Sequence, residues 1–548
     1  MKTTHALRTF LLGSTLLAVT STLHAADGTW NVDTTPGLWS TAGNWTPGIA
    51  DGSGFTANFT NNITGDRTVR LDSDRTLTSV VFGDSDTLSA GSWLLDNNGT
   101  GTNNLILAGT TPGVTVNALG TGKTATISAI IEGSAGLVKS GDGTLVLSGA
   151  NAFTGNITVN GGTLQGGGTA FGNGVVRTFN VNSGAAVVFA GPNVNGNALS
   201  ANNNLVISGG TLTNSGSSVT GTGGACNALN NVTLGGGTLT STSSFTTGDN
   251  WGAWSIQGNV TSTGTSTISS VTGGHIRLKG NAATTNNNFD VQSGTLTVSA
   301  SLWNGKQSTG GFPEATTSLT KLGAGTMTLS ATNLYTGSTT VSAGKLTVSS
   351  SGNINTTSAV SIGAGEFNYN SSTALTKAVT FTGTGGTLSG SATINLPVNV
   401  TTGNTLAIGN SVGTMNFVST LTVGGTYLYE LDSTLNTGDL GDVAGVLTLG
   451  GVLDLVQLGT FAAGDVFTLF AYDDVLNGFF KDTGGVNNIL DDTNFTDAGG
   501  TWRLDYDAIA PGVNGGVGIS YVTITAVPEP SAALLGSLGM LALLRRRR

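Results

Sequence analysis

Few residues of this 548-residue chain offer reactive chemistry: one cysteine, three histidines and a run of acids between Glu430 and Asp507. His5 and His24 lie in the leading segment, so His275 is the one histidine of the body. A Cys/His metal centre gathers several such ligands, which Cys226 and His275 cannot supply. Cys226 is alone, so an intrachain disulfide is excluded. A Ser-His-Asp triad needs a nucleophile beside its histidine, whereas GGHIRLKG (273–280) reads as a strand leaving a glycine turn. The 14 acids of the C-terminal part could hold Ca²⁺ through oxygen ligands. No D-x-[DN]-x-[DN]-G loop and no glycine-rich nonapeptide accompanies them, so they read as turn aspartates.

Between 101 and 350 there are five acids: Glu132, Asp142, Asp249, Asp290 and Glu314. A polysaccharide lyase or glycosidase needs paired carboxylates, or a basic residue with bound Ca²⁺, on one face of its scaffold. Asp142 lies in a GDG turn, and its place in a second copy of the surrounding phrase is taken by Ala324. No catalytic, cofactor or metal residue is assigned, and the chain is not read as an enzyme. Trp30, Trp39 and Trp45, within TWNVDTTPGLWSTAGNWTPG (29–48), are open to two readings. Exposed rings would stack on sugars, and buried rings would cap the end of a core. Trp251, Trp254 and Trp303 form a second sugar-binding candidate, although Trp251 and Trp254 are three apart and cannot share one strand face.

The elements that must position these residues are strands. Glycine is 86 of the residues and proline 9, and the apolar residues fall in short alternating runs of Val, Ile and Leu. That is an all-β composition with many turns. The start, with Lys2 and Arg8 before an apolar run from Phe10 to Val19 and small residues at Ala25 and Ala26, reads as a secretory signal (1–26) with a short helix. Without the two terminal segments the body carries 14 Lys and Arg against 29 Asp and Glu, near −15. Nucleic acid as a partner is excluded, since its binding needs dense positive charge.

Internal similarity organises the body. GLVKSGDGTLVLSGANAFTGNITVNGGTL (136–164) and SLTKLGAGTMTLSATNLYTGSTTVSAGKL (318–346) share 14 of 29 positions without a gap, including Leu137/Leu319, Lys139/Lys321, Gly141/Gly323 and Asn151/Asn333. In the first copy Leu145 and Leu147 share one strand face, and Ile157 and Val159 another. Such a unit cannot bury its own apolar face, but coils stacked on one another can. GGTL and SGTL fragments recur from Leu164 to Leu388 at irregular spacings. The expected fold is a parallel β-helix of about 22 residues per coil, on the order of 90 Å long at one strand spacing per coil. The alternative is a set of β-sandwiches. The expected organisation is a Trp-rich β cap (27–100), the β-helix (101–420), an acidic β region (421–525) that forms either last coils or a separate end cap, and a terminal segment (526–548).

That terminal segment is AVPEPSAALLGSLGMLALLRRRR. Its apolar run, 532–544, would make a short hydrophobic helix of roughly 20 Å against about 30 Å of bilayer hydrocarbon, enough for transient inner-membrane association. Val527, Pro528, Glu529, Pro530 and Ser531, followed by Arg545, Arg546, Arg547 and Arg548, resemble the PEP-CTERM sorting signal. This implies an exosortase-type membrane protease as processing partner. Residues 137–155 and 319–337 resemble the autotransporter-associated β-strand repeat, which implies the right-handed β-helix of a secreted passenger. The translocating barrel of autotransporters has no counterpart here, so a general secretion route is implied. The expected protein is a secreted, exosortase-sorted structural or adhesin-like component of the cell surface or extracellular matrix of a Gram-negative bacterium. The alternative is a β-helix that binds or degrades an extracellular polysaccharide.

Overall fold

A computed structural model describes residues 25–528, apart from 89–90, 100, 173–174, 192–193, 195–202, 217–226, 243–252, 272–273 and 308–312, together with Arg545. The signal segment, Cys226, Trp251 and the apolar run 532–544 lie outside the described residues.

The chain is all-β. Among the described residues one 3-10 turn, Ala42–Asn44, interrupts a succession of short strands, most of two to five residues. Alternation decides their orientation. Thr144–Leu147 buries Leu145 and Leu147 and turns Thr144 and Val146 outward, and Ile157–Val159 buries its two ends. The strands stack in parallel register. One sheet has 20 strands and a second 19, and shorter sheets of three, four and seven strands close other parts of the circuit. Within the first copy of the repeat, Leu137 pairs with Ile157 and Thr144 with Thr163, so one phrase contains a coil and the start of the next. The second copy repeats this with Leu319 against Thr339 and Thr326 against Lys345. This is a parallel solenoid, not a set of sandwiches.

The recurrent leucines form inward columns of the second sheet. Leu145, Leu164, Val187, Leu212 and Leu239 stack in that order. Leu296, Met327, Leu346, Phe367, Leu388, Leu406 and Tyr427 form a second run. The irregular spacings are therefore one coil or two. Coil length itself varies, from 18 residues between Thr387 and Thr405 to 34 between Ser79 and Gly113, around the rough 22 expected of an irregular stack. The insertions lengthen the path between the two long sheets, and the inward columns continue through them, with one two-residue shift of pairing at Thr238 against Thr267.

Parallel pairing begins at Gly28 against Ala57 and continues to Leu447 against Leu476, so the stack extends on both sides of 101–420. At the N-terminal end Trp45–Thr46 folds back antiparallel on Gly28–Trp30. At the other end the seven-stranded sheet changes direction. Ser520–Val527 runs antiparallel to Val466–Tyr472, and Gly500–Ala508 and Thr493–Asp497 follow as antiparallel neighbours. The acidic region thus supplies the last coils and then a meander laid against them.

Candidate functional site

The repeated phrase places a cation inside the solenoid. Leu137 and Lys139 are two apart on one strand, and both point inward; Lys139 and Lys321 are each fully buried. Lys139 Nζ donates to the carbonyls of Ser140 (2.9 Å), Gly141 (2.7 Å) and, one coil on, Gly161 (3.0 Å). Lys321 Nζ donates to Leu322 (2.8 Å), Gly323 (2.8 Å) and Ala343 (3.1 Å). All three ammonium protons are used, and each lysine ties its own turn to the turn above it. Burial lowers both lysines to about 8, while Asp142 raises the first and Asp290, from the preceding coil, raises the second. The turn aspartate is thus a solvent-side counterion, and Asp290 supplies it where the second copy has Ala324.

The glycine after the lysine has a matching reason. Gly141 and Gly323 have φ of 77° and 74°. A Cβ on either would sit 2.4 Å from a carbonyl oxygen of the coil below, that of Val116 or Val291.

A second buried polar group closes a different corner. Asn333 accepts from the Leu302 amide (3.0 Å) below and donates to the Asn353 carbonyl (3.2 Å) above, and Asn151 links Ile131 to Ala170 in the same way. Truncation would leave the Leu302 N–H without its acceptor. Asn333→Ala is expected to cost about 2–3 kcal/mol in urea unfolding and to deprotect the Leu302 amide. A loss below about 0.5 kcal/mol would show that water replaces the side chain.

The long coils between the two copies carry the other polar cluster. His275 is buried on the strand His275–Arg277 and stacks on Trp303 at 4.0 Å. Burial, then Arg277 and Lys306, lowers its pKa to about 3. Burial thus favours the neutral ring. Arg277, also buried, donates to the Asn304 carbonyl (2.8 Å) and to Glu314 (2.9 Å), and its guanidinium lies 5.5 Å from the Trp303 ring centre. The cluster latches an insertion onto the stack.

The tryptophans considered for sugar stacking are mostly inside. Trp30, Trp39, Trp45 and Trp254 are buried, and Trp303 is half-buried under His275. Among the acids, carboxylates of Asp491, Asp492 and Asp505 approach one another within 4.8 Å on the C-terminal meander. Asp492 pairs with Arg503, and Asp491 accepts from the Tyr506 amide (3.0 Å).

Among the described residues Asp439 is the carboxyl with the largest displacement. It is buried, accepting from the Gly413 and Glu430 amides at 2.9 Å each. Burial, with a smaller contribution from Glu430, raises it to about 8 against those two donors. Burial raises Asp442, Asp454 and Asp505 as well. The folded state therefore binds protons more tightly than the unfolded chain, whose carboxyls titrate near 4. This stabilisation is complete below pH 4 and is lost as pH rises towards 8. The thermal midpoint of the C-terminal coils is expected to fall from pH 5 to pH 9. A midpoint that rises over this range would refute the assignment.

Of the residues of the terminal motif, Val527 ends the strand Ser520–Val527, pairing with Thr501, and Pro528 follows it exposed. Glu529, Pro530, Ser531, Arg546, Arg547 and Arg548 lie outside the described residues, and Arg545 is exposed. The inward lysine was the functional residue not read from the sequence. Its signal was position: two residues after an inward leucine and two before a glycine.

Residues 137–165 and 319–348 match the Passenger-associated-transport-repeat family. These are the segments that hold the two lysine clamps. The chain is also similar to an adhesin, the BmaC autotransporter of Brucella suis biovar 1 (strain 1330), at 30% identity over 234 residues. That stretch is 39% of this chain and 6% of the adhesin.

Proposed function

We propose that the chain is the solenoid body of a secreted, adhesin-like protein of a Gram-negative cell surface or extracellular matrix, with a structural and binding role. The observation that carries this reading is the coincidence of the two family-matched repeats with the lysine-clamped coils of a long parallel stack. The similarity to an autotransporter adhesin, and the scarcity of ionisable groups along the central coils, support it. The coils wind right-handed, as in the repeat family they resemble. Val527–Ser531 and Arg545–Arg548 act as a PEP-CTERM signal, read by an exosortase-type enzyme while 532–544 is held transiently in the inner membrane. Extracellular polysaccharide is the partner class proposed for the body.

The test is an intact mass and C-terminal peptide map of the protein from its native host, with cells and medium analysed separately. A new terminus near Pro528 to Ser531 is expected, with any added mass identifying the anchor. Recovery of Arg548 in the mature protein would overturn the sorting reading and leave the adhesive one standing.

A further inference from the structure

The outward face of the second sheet is nearly all hydroxyl along six successive coils. The phrase T-x-T-x-S/T occurs as TLTNS (211–215), TLTST (238–242), TSTIS (265–269), TLTVS (295–299) and TMTLS (326–330), and is followed by KLTVS (345–349). In each, the first, third and fifth side chains point outward between buried residues, apolar or small except for Asn214. Of these 18 outward positions, Lys345 is the one without a hydroxyl, and it pairs with Glu366 at 2.8 Å.

The hydroxyls form a lattice because the coils are in register. Thr211 pairs with Thr238, Thr265 with Thr295, and Thr295 with Thr326. Between 238–242 and 265–269 the pairing moves by two residues, Thr238 against Thr267. Because the phrase has period two, hydroxyl still meets hydroxyl at Thr238 with Thr267 and at Thr240 with Ser269, where Ser269 donates to Thr240 Oγ1 at 2.8 Å. Spacings are about 4.8 Å between coils and about 6.6 Å between alternate residues of a strand. Threonine is stiff at χ1, so its methyl and hydroxyl are held with little entropy left to lose. Among the described residues, the hydroxyls of Thr295, Thr297, Thr326 and Thr328 are not consumed by bonds within the chain. The other long sheet lacks this uniformity: at the same height its outward positions include Asp290 and Leu322.

We propose that this face is an ice-binding surface. A soluble glycan is recognised by aromatic stacking and by charged or amide groups in a cleft, and the 18 outward positions of these six strands carry no ring. The face presents a rigid two-dimensional array of methyls and hydroxyls. Its two repeats lie close to the oxygen repeats of a prism face of hexagonal ice, so ordered water on the array continues the crystal. The inference goes beyond the adhesive reading and gives one face of the body a solid ligand.

The experiment measures ice recrystallisation inhibition and ice-crystal shaping by the full chain. Activity is expected in the wild type, lost in Thr297→Tyr, where a ring stands proud of the array, and retained in Thr340→Tyr on the other sheet. If the tyrosine variant fails to fold by circular dichroism, Thr297→Lys, which extends into solvent, replaces it. A wild type without ice activity overturns the proposal, as does equal loss from both faces. So does saturable binding to crystalline cellulose or chitin without ice activity. Cell attachment in liquid water, assayed with the same variants, fails or persists independently of these results.

Discussion

Lys321→Met is expected to lower the stability of the second repeat by about 3–5 kcal/mol at pH 7, read as a shift of the urea transition together with rapid amide exchange over 319–348. Methionine fills the space of the lysine stem, so the packing loss is small. What is lost is the donor shared by the carbonyls of Leu322, Gly323 and Ala343, which converge on one point inside the coil. Three acceptors then face one another with no proton between them, and each carries a desolvation penalty of about 1–3 kcal/mol. Lys139→Met should behave alike in the first repeat, because its geometry is the same.

The opposing term is the cost of burying the charge, which lowers both lysines to about 8. A base whose folded pKa lies below its unfolded value sheds its proton more readily when folded. The penalty is present below pH 8 and is relieved between 8 and the ordinary lysine value. The stability gap between wild type and Lys321→Met should therefore widen from pH 8 to pH 10. A gap that narrows would mean that the carbonyls hold the ammonium more strongly than burial disfavours it. No gap at pH 7 would refute the clamp.

The lysine also shows what the sequence did and did not disclose. Alternation identified the strands, and the recurrent leucines do stack in columns. Two full copies sufficed to recognise a stacked coil, because each contains both partners of its own pairing, Leu137 with Ile157 and Leu319 with Thr339. The lengths of the long coils stayed hidden. Insertions such as the one carrying His275 and Arg277 are held by parallel pairing in the four-stranded sheet and by polar contacts between residues 27 or more apart, such as Arg277 with Asn304 and Glu314, and these have no local signature. A buried lysine reads as a surface residue unless the turn carbonyls that receive it are known. The hydroxyl lattice was present as TLT phrases, but threonine is favoured on any exposed strand face, so its outward residues carry no distinguishing signal until the coils are stacked.

Trp39→Ala is expected to open the N-terminal end and leave the rest of the stack folded. Trp39 is fully buried, donates Nε1 to the Ala50 carbonyl at 2.9 Å, and accepts from Trp45 Nε1 at 2.7 Å through its own carbonyl. Its ring lies 4.7 Å from Trp45 and 5.5 Å from Phe59, and Phe59 stacks on Phe82 of the next coil at 5.2 Å. Removing a ring from such a cluster costs about 3–5 kcal/mol. In a solenoid each coil answers mainly to its neighbours, so the loss should be confined to the first coils. Peptides within 28–96 should exchange rapidly, and those within 319–400 should keep their protection. The strands Gly28–Trp30 and Gly37–Leu38 are the first rungs of the two long sheets, and Trp45–Thr46 covers the first of them by antiparallel pairing with Trp30. Unseating that cover exposes an open ladder of amides and carbonyls, the surface on which β-proteins join end to end. Gel filtration should then show dimers or longer species growing with concentration. Uniform loss of protection along the whole chain would mean that the stack unfolds as one unit. The tryptophans would then be ordinary core, and not a seal on its end.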